Sequence, residues 1–393
     1  MAELPKLKRG YFLRRGWKDL LFLIVLAFLA HWLYRIRYPL PRTIEEDVAH
    51  WKARPELNLG NVKTTSPPCL FIALSSEPAP PVPSGTIADC LALIPRGAPM
   101  NLVEIDLSQG DLIPVKTDLY LEGKMPLAFT RTYFRPEDYF KRNGSSIPHV
   151  YDPYLTGSRY PYTYVDWTLP DHRHVHMTRV SAGTEYADNI DEADSSAPRE
   201  FAGARLGWDG AGWALALPDG TTYLSPDGYN ATRPQQGSLI AIFDKDGNEI
   251  RLNREQNGDL REIRSPEGHV IRLSYADGRL AGLEASPADR VTYEYDSRFR
   301  PATVKYSSGQ TIRYVFDDND FITDVESPPG KNILHVGYDS RSFVVSLTLG
   351  ESPSYSIRYG PLFKNAFQYA DVTAPDSSIT HVDLTGSKYT VSH

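Results

Sequence analysis

A turn sequence that returns about every 21 residues is the feature that most limits what this chain can fold into. The turns DKDGN, SPEGH, SPADR, SSGQ and SPPGK follow one another at intervals of 21, 21, 20 and 21 residues. Self-similarity at such a period is typical of repeat architectures, in which each repeat is one supersecondary unit. Gly and Asp at the turn positions favour tight turns, because these residues accept a positive φ. The turn positions are Gly247, Gly268, Asp289, Gly309 and Gly330.

An alternating strand follows each turn, and a second turn and a second strand complete the unit, so each repeat is predicted to be a β-hairpin. A single hairpin buries too little apolar surface to be stable in water, and hairpins must therefore pair side by side. The predicted fold class is all-β, with tandem hairpin repeats in a curved or spiralling antiparallel sheet. The first strands of the repeats span 250–252, 271–275, 291–295, 312–316 and 334–338, and the last three of these are followed by Asp296, Asp317 and Asp339.

These hairpins resemble the tyrosine-aspartate (YD) repeats of the rearrangement-hot-spot (Rhs) family, whose members build a spiralling β-sheet. A second motif, GDLIPVKTDLYLEGKMPLAFTRTYF, is similar to the domain of unknown function that opens many such proteins. Its Gly-Asp-Leu entry, Thr-Asp-Leu strand and Pro-Leu-x-Phe-x-Arg-x-Tyr strand occupy 110–112, 117–119 and 126–133. The resemblance covers about 103–393, and it implies an Rhs-type N-terminal β domain at 103–236 followed by a YD-repeat β array at 237–393.

The N-terminus predicts a membrane anchor. A basic tail at 1–18 precedes an apolar run at 20–34, LLFLIVLAFLAHWLY. At about 1.5 Å per residue this run covers only about 22 Å of the roughly 30 Å hydrocarbon core, so the predicted transmembrane helix extends over 19–38. A cleaved signal peptide and a buried core helix are the alternatives, although a small-x-small cleavage pattern is missing. The basic residues before the run favour a cytoplasmic N-terminus and an extracytoplasmic body.

Residues 39–102 are predicted to form a Pro-rich stalk, because SSEPAPPVPSG favours stiff polyproline II backbone. Cys69 and Cys90 are the only cysteines, and their spacing fits no zinc or redox motif. Two interpretations stay open for them: one disulfide across the Pro-rich loop, or two unrelated buried thiols.

The sequence DHRHVH suggests one candidate metal site. On a strand, His172, His174 and His176 would project from one face at steps of about 6.6 Å, and two such imidazoles can share a zinc ion. Only Asp166 and Asp171 are near in sequence to orient them. An ordinary exposed or half-buried strand face is the competing interpretation, so no metal or cofactor is assigned.

The rest of the sequence points away from catalysis and from nucleic acid. It contains no Gly-x-Ser-x-Gly elbow and no Gly-rich phosphate-binding loop. The acidic run 317–320 lacks the Gly and the distant Glu of a calcium loop, and a solvated turn is predicted there instead. Of 42 basic and 49 acidic residues, 8 and 2 lie in 1–37, so the body is clearly acidic, which argues against a nucleic-acid partner.

Together these observations predict a non-enzymatic, single-pass membrane protein whose β surface faces a protein or glycan partner outside the cytoplasm, in the periplasm or at the cell surface. A second interpretation stays open. Full-length family members carry many more repeats, a self-cleaving core motif and a C-terminal toxin, none of which is visible here. The chain would then be a truncated or split component of an Rhs-type polymorphic toxin system.

Overall fold

The computed structural model describes residues 67–74, 84–95, 97–133, 147–194, 197–386 and 389–393. The predicted basic tail at 1–18, the predicted anchor at 19–38 and the first part of the predicted stalk lie outside these residues. Within the part of the chain that the structure describes, no helix is long and apolar enough to cross a membrane.

A five-stranded antiparallel sheet is formed by the first described residues, with the strand order β2-β1-β3-β4-β5. Strands β1 and β3 are buried on both faces. The sequence of β1, PCLFIA, is the continuous apolar run expected of such a strand, whereas β3 also buries Glu104 and Asp106. Its strands are β1 (Pro68–Ala73), β2 (Thr86–Asp89), β3 (Asn101–Asp106), β4 (Asp111–Leu121) and β5 (Leu127–Thr132).

The prediction of a stalk through residue 102 is wrong for the described residues in that range. Leu70 and Ile72 on one face of β1, and Phe71 on the other, are fully buried. The run PCLFIA has the composition of a strand covered on both faces, and burial of this apolar surface outweighs the polyproline tendency of the neighbouring sequence.

Strands β6 to β24 and β27 to β29 form a second, much larger antiparallel sheet, in which each strand pairs with the next along the chain. A bridge between Tyr154 in the first of these strands and Ser238 shows that the sheet curls back on itself. The strands are β6 (Tyr154–Gly157), β7 (Tyr164–Thr168), β8 (His174–Arg179), β9 (Ile190–Ala193), β10 (Arg205–Trp208), β11 (Gly212–Ala216), β12 (Thr222–Pro226), β13 (Ala241–Phe243), β14 (Glu249–Arg254), β15 (Leu260–Arg264), β16 (Val270–Ala276), β17 (Arg279–Ser286), β18 (Asp289–Tyr295), β19 (Pro301–Tyr306), β20 (Thr311–Phe316), β21 (Ile322–Glu326), β22 (Asn332–Tyr338), β23 (Val344–Thr348), β24 (Tyr355–Tyr359), β27 (Tyr369–Thr373), β28 (Ile379–Asp383) and β29 (Thr390–Ser392).

A small hairpin and three short 3₁₀ turns complete the described elements. The hairpin consists of β25 (Leu362–Phe363) and β26 (Ala366–Phe367), and the turns span Tyr186–Asp188, Arg199–Phe201 and Pro234–Gly237. The all-β, curved antiparallel sheet predicted from the repeats is thus confirmed. The hydrogen bonding does not divide the chain at 236/237, because β12 pairs directly with β13.

The small sheet packs against the inner face of the large one. Leu70, Val103 and Phe129 belong to the same buried cluster as Val291 and Val336 of the hairpin array. The opposite face of the small sheet holds a separate apolar cluster that includes the disulfide between Cys69 and Cys90. The sequence left two interpretations open for these cysteines, and the structure contains the disulfide.

The aromatic residue of each YD-type unit has a definite structural role. The register of strand pairing shifts by one residue at or just before this aromatic residue, as between Glu294 and Tyr295. Each of these hairpins therefore contains a β-bulge at the aromatic position. The phenol then reaches back to the preceding unit, where the Tyr295 hydroxyl donates to the carbonyl oxygen of Leu280 at 2.8 Å. Equivalent bonds run from Tyr275 to Leu260 and from Tyr338 to Ile322.

The aspartate that follows the aromatic residue stabilises its own turn. Asp317 Oδ1 accepts the backbone N–H groups of Asn319 and Phe321, both at 2.9 Å. The residue between these two, Asp320, has a φ of 67°, and this left-handed conformation closes the turn. The same arrangement occurs at Asp296 and Asp339.

The turns that begin each repeat agree with the predicted pattern at four positions and differ at one. Gly247, Gly268, Gly309 and Gly330 all have a φ between 82° and 90°. Asp289 was expected to occupy the same position, but it is the first residue of β18 and lies outside the positive-φ set. The connection at 286–289 is tighter, because the Ser286 hydroxyl binds the Asp289 carboxylate and the Asp289 N–H.

The motifs that carry the family resemblance meet in a buried ion pair between the two sheets. Arg131 Nε donates to Asp118 at 2.6 Å, and their side chains are 4% and 0% exposed. The hydroxyls of Tyr293 and Tyr306 donate to the two Asp118 oxygens at 2.6 and 2.5 Å. Arg131 also donates to the Tyr314 hydroxyl at 2.8 Å. We call these five residues the clasp, since they fasten the small sheet to the hairpins.

Candidate ligand-binding cleft

A solvent-open cleft of about 590 Å³ lies at the first strands of the curved sheet. Five separate segments line it: the β6–β7 hairpin, the 3₁₀ turn before β9, the start of β11, the end of β12 with the loop that follows, and the 3₁₀ turn Pro234–Gly237. The curling of the sheet brings these segments together, and we call the space between them the cleft. Its volume is in the range of pockets that bind small organic ligands.

Aromatic side chains form one wall of the cleft. The Tyr186 ring lies 4.5 Å from Trp208, 5.9 Å from Tyr162 and 6.2 Å from Trp213, measured between ring centroids. Tyr162, Tyr186 and Trp213 line the cavity, and Trp208 packs against Tyr186 and Trp213. The three side chains that line the cavity are only partly buried.

Local sequence explains how the two tryptophans come together. They are direct partners across the β10–β11 hairpin. Asp209 Oδ1 accepts the N–H groups of Ala211 and Gly212, which closes the turn between them. A Cβ at Gly212 would lie 2.2 Å from the Ser225 carbonyl oxygen, so only glycine permits β11 to pair with β12 at this position.

The opposite rim carries exposed aromatic and charged groups. The Arg159 guanidinium lies 4.9 Å from the centroid of the Tyr229 ring, which is 61% exposed. The Ser158 hydroxyl accepts the Thr163 N–H at 2.6 Å and thereby holds the loop that carries Tyr162. The rim is therefore built on a fixed loop conformation rather than on isolated side chains.

A buried amide lines the cleft and binds a buried carboxyl group behind it. Asn189 lines the cleft and is 2% exposed, and its Nδ2 donates to Asp191 Oδ2 at 2.6 Å. Burial raises the pKa of the Asp191 carboxyl to about 7. The Oδ1 atoms of Asn189 and Asp191 are buried without a hydrogen-bond partner among the described residues. A buried acceptor in this state is costly, and a hydroxyl donor from a ligand would satisfy it.

Acidic Asp227 also lines the cleft, beside the aromatic wall. Its Oδ1 accepts the N–H of Tyr229 at 3.0 Å. Burial, together with the charge of Asp227, raises the pKa of the Tyr186 hydroxyl, so that phenol stays a neutral hydrogen-bonding group.

The structure does not bring the three histidines of DHRHVH together on one strand face. His172 lies in the turn before β8, where its N–H donates to the Leu169 carbonyl oxygen and its φ is 66°. His174 and His176 do share a face of β8, but each has its own neighbour. His174 Nδ1 lies 3.0 Å from Thr168 Oγ1, and His176 Nδ1 lies 2.6 Å from Asp166 Oδ1.

Within the described ranges, only Cys69, Cys90 and Glu104 lie close enough together to suggest a metal-binding group. The two sulfur atoms are joined in the disulfide, so they offer no thiolate to a metal. The acidic run 317–320 forms the turn described above, and Asp320 also pairs with Arg298 and Arg300.

The residues of the cleft were not predicted from the sequence. Their signal is present in the Tyr-rich stretch 160–164 and in the two tryptophans of 208–213, but both read simply as strand sequence. Aromatic residues are common in strands for packing reasons alone. What distinguishes these positions is their incomplete burial, which only the folded arrangement reveals.

No protein-family model matches the chain. Over 132 residues the chain is 28% identical to teneurin-3 of Danio rerio, a match that covers 33% of this chain and 5% of teneurin-3. The chain therefore spans only a small part of that relative. Together with the aromatic–Asp hairpins described above, this similarity supports a YD-like β-repeat fold.

Two solved structures match this chain at low identity and low TM-score. One is the Tc holotoxin pore of Photorhabdus luminescens, with 12% identity, a TM-score of 0.30, and coverage of 78% of this chain and 20% of that one. The other is the TcdB2–TccC3 protein without its hypervariable C-terminal region, with 14% identity, a TM-score of 0.30, and coverage of 74% and 16%.

Proposed function

We propose that this protein is a non-enzymatic, membrane-anchored interaction module of the Rhs/YD-repeat type, which presents its β surface to a protein or glycan partner outside the cytoplasm. The cleft is the observation that carries the proposal. It is open to solvent, it is walled by partly exposed rings, and it is lined by Asn189, whose Oδ1 is buried with no hydrogen-bond partner in the part of the chain that the structure describes. Concave sites that combine apolar walls with a few fixed polar groups are typical of ligand recognition.

Two further observations support the proposed location. The disulfide between Cys69 and Cys90 suits an oxidising compartment, because cytosolic thiols are normally kept reduced. The apolar run at 20–34 supplies the expected anchor, and the basic residues before it favour a cytoplasmic N-terminus.

The binding part of the proposal is tested with full-length protein in detergent micelles, applied to immobilised protein and polysaccharide fractions of cell envelopes. We expect one fraction to retain the protein, and Trp213→Ala to reduce this retention at least tenfold. Phe363→Ala is the control, since this ring is 61% exposed on the small hairpin and does not line the cleft. Retention by neither fraction, or equal retention of Trp213→Ala, would overturn the proposal.

The location is tested in a bacterial host with alkaline phosphatase fused after His393 as the reporter. Alkaline phosphatase folds only where its disulfides form, and we expect it to be active in the fusion. Deletion of 19–38 should abolish that activity while the protein is still made. Phosphatase activity that does not depend on 19–38, or no activity in either fusion, would contradict an anchored extracytoplasmic body.

A further inference from the structure

We propose that a second cavity, which lies between the small sheet and the hairpin array, binds a small apolar monocarboxylate whose carboxylate group pairs with the Lys116 ammonium. We call this cavity the interlayer pocket. It is separate from the cleft, so the inference goes beyond the proposed function and does not depend on it.

The interlayer pocket has a volume of about 270 Å³. Strands β3 and β4 line it from the small sheet, and β20, β21 and β22 line it from the hairpin array. Most of the residues in its walls are apolar, and they include the buried Ile312 and Val325 and the partly buried Ile333. The volume lies just below the range of pockets for drug-sized molecules, which favours a smaller ligand with an apolar body.

Among the described residues, Lys116 is the one charged side chain that lines the interlayer pocket. It is partly buried, and its ammonium forms no ion pair with any residue that the structure describes. Its Nζ lies 5.9 Å from the centroid of the Tyr306 ring, a contact that compensates a buried cation only weakly. A half-buried ammonium without a counter-ion is costly, and an anion in the pocket would offset that cost.

The charges beside the pocket favour a ligand with a single negative charge. The Asp118 carboxylate already binds Arg131 and accepts two tyrosine hydroxyls in the clasp. Burial lowers the pKa of Lys116, and although Asp118 opposes this effect, the charge of Arg131 adds to it. With Lys116 protonated, the three charges sum to one positive charge. A monocarboxylate neutralises this group, whereas a phosphate dianion would leave a negative charge in a mostly apolar space.

Neutral polar groups at the rim suit the polar end of such a ligand. Gln310 lines the pocket from an exposed position, and its Nε2 donates to Ser327 Oγ at 3.4 Å. Because the Ser327 hydroxyl accepts in this contact, its own hydrogen stays available to an acceptor. The pocket therefore offers a cation and a hydroxyl donor to a carboxylate, and apolar walls to the rest of the molecule.

The test measures dissociation constants by saturation-transfer NMR on full-length protein in detergent micelles. The probes are isobutyrate, benzoate and cyclohexanecarboxylate, and each is compared with its neutral amide, which has nearly the same shape. We expect at least one carboxylate to bind at least tenfold more tightly than its amide. Inorganic phosphate should bind more weakly than that carboxylate.

Two variants connect the binding to the pocket. Lys116→Met removes the charge from a side chain of similar length, and it should abolish the preference for the carboxylate. Gln310→Glu places a negative charge at the exposed rim, so carboxylate binding should weaken at least threefold while amide binding stays the same. Lys245→Met is the matched control and should bind as the unmodified protein does, because Lys245 is exposed and does not line the pocket.

Three outcomes would overturn the inference: equal binding of every carboxylate and its amide, a preference for the carboxylate that both pocket variants retain, or tighter binding of phosphate than of every carboxylate. If Lys116→Met fails to fold, an unchanged preference in Gln310→Glu is sufficient to overturn it. None of these outcomes bears on the cleft, where binding is tested separately through Trp213.

Discussion

Asp118 and Arg131 form a buried ion pair, and tyrosines of the hairpin array surround it. Burial alone would lower the pKa of Arg131, but the charge of Asp118 and the nearby phenols more than offset this, so its pKa is raised. Burial and the charge of Asp118 likewise raise the pKa of Tyr293. Arg131 and Tyr293 therefore stay protonated and keep their donor roles across the physiological pH range.

Removal of one charge from the clasp should be costly. Asp118→Asn leaves Arg131 buried without its counter-charge, and such changes cost about 3–5 kcal/mol of unfolding free energy. The exposed pair of Lys305 and Glu294 provides the control, because Glu294→Gln should cost less than about 1 kcal/mol. Urea denaturation monitored by circular dichroism measures both values, and equal costs for the two variants would contradict the role given to the clasp.

Asp191 should make stability depend on pH. Its folded-state pKa is about 7 against an ordinary value of 3.8, so the folded chain binds more protons than the unfolded chain between these two values. The free energy of unfolding therefore falls as pH rises through this window and levels off above it. Asp191→Asn removes this contribution, and its melting temperature should decrease less between pH 4.5 and pH 8 than that of the unmodified protein. An identical pH dependence of the melting temperature in the two proteins would show that the pKa of Asp191 is not raised in the folded chain.

At the scale of the hairpin, much of the structure could be predicted from the sequence. The 21-residue period and the turn glycines follow from local chemistry, because a positive φ at Gly268 or Gly309 needs no distant contact. The bond from the Tyr295 hydroxyl to Leu280 could not be predicted, since it depends on the neighbouring unit. The β-bulge at Tyr295 lies within its own hairpin, between β18 and β19, and it was not predicted either. Asp289 was misassigned because its turn uses the Ser286 side chain instead of a left-handed backbone.

The YD-type turn gives a prediction at this scale. Asp339 Oδ1 accepts the N–H groups of Arg341 and Phe343 at 2.9 and 3.0 Å. Asp339→Ala loses both bonds and should cost about 2 kcal/mol, whereas Asp339→Asn keeps an acceptor oxygen and should cost less than half as much. Urea denaturation distinguishes the two variants, and equal losses would show that the side-chain oxygen does not stabilise the turn.

The disulfide ties β1 to the residue that follows β2, so its loss should weaken the small sheet. Its sequence separation is 21 residues, and closing a loop of this size stabilises a folded protein by about 3 kcal/mol. We expect the Cys69→Ser, Cys90→Ser double variant to show a correspondingly lower urea midpoint. Treatment of the unmodified protein with a reductant should lower the urea midpoint by the same amount. A midpoint that neither the substitutions nor the reductant change would show that the disulfide does not stabilise the fold.

At the scale of the whole molecule, the curved sheet holds a second sheet against its inner face, and the clasp joins the two. The sequence analysis predicted the curved sheet, because its hairpins are local. It did not predict the small sheet or the cleft, because both depend on contacts between distant segments. Leu155 of β6 and Tyr229 after β12 line the same cavity although they are distant in sequence, and the bridge between Tyr154 and Ser238 joins the segments that carry them.

The central claim is that the cleft is where this protein meets its partner, whatever the partner's chemistry. Hydrogen–deuterium exchange of the full-length protein, with and without the envelope fraction that retains it, tests this most directly. The account predicts slower exchange of backbone amides in 154–165, 186–189 and 226–229 when the partner is bound. Slower exchange confined to the hairpins at 249–348, with the cleft segments unchanged, would contradict it.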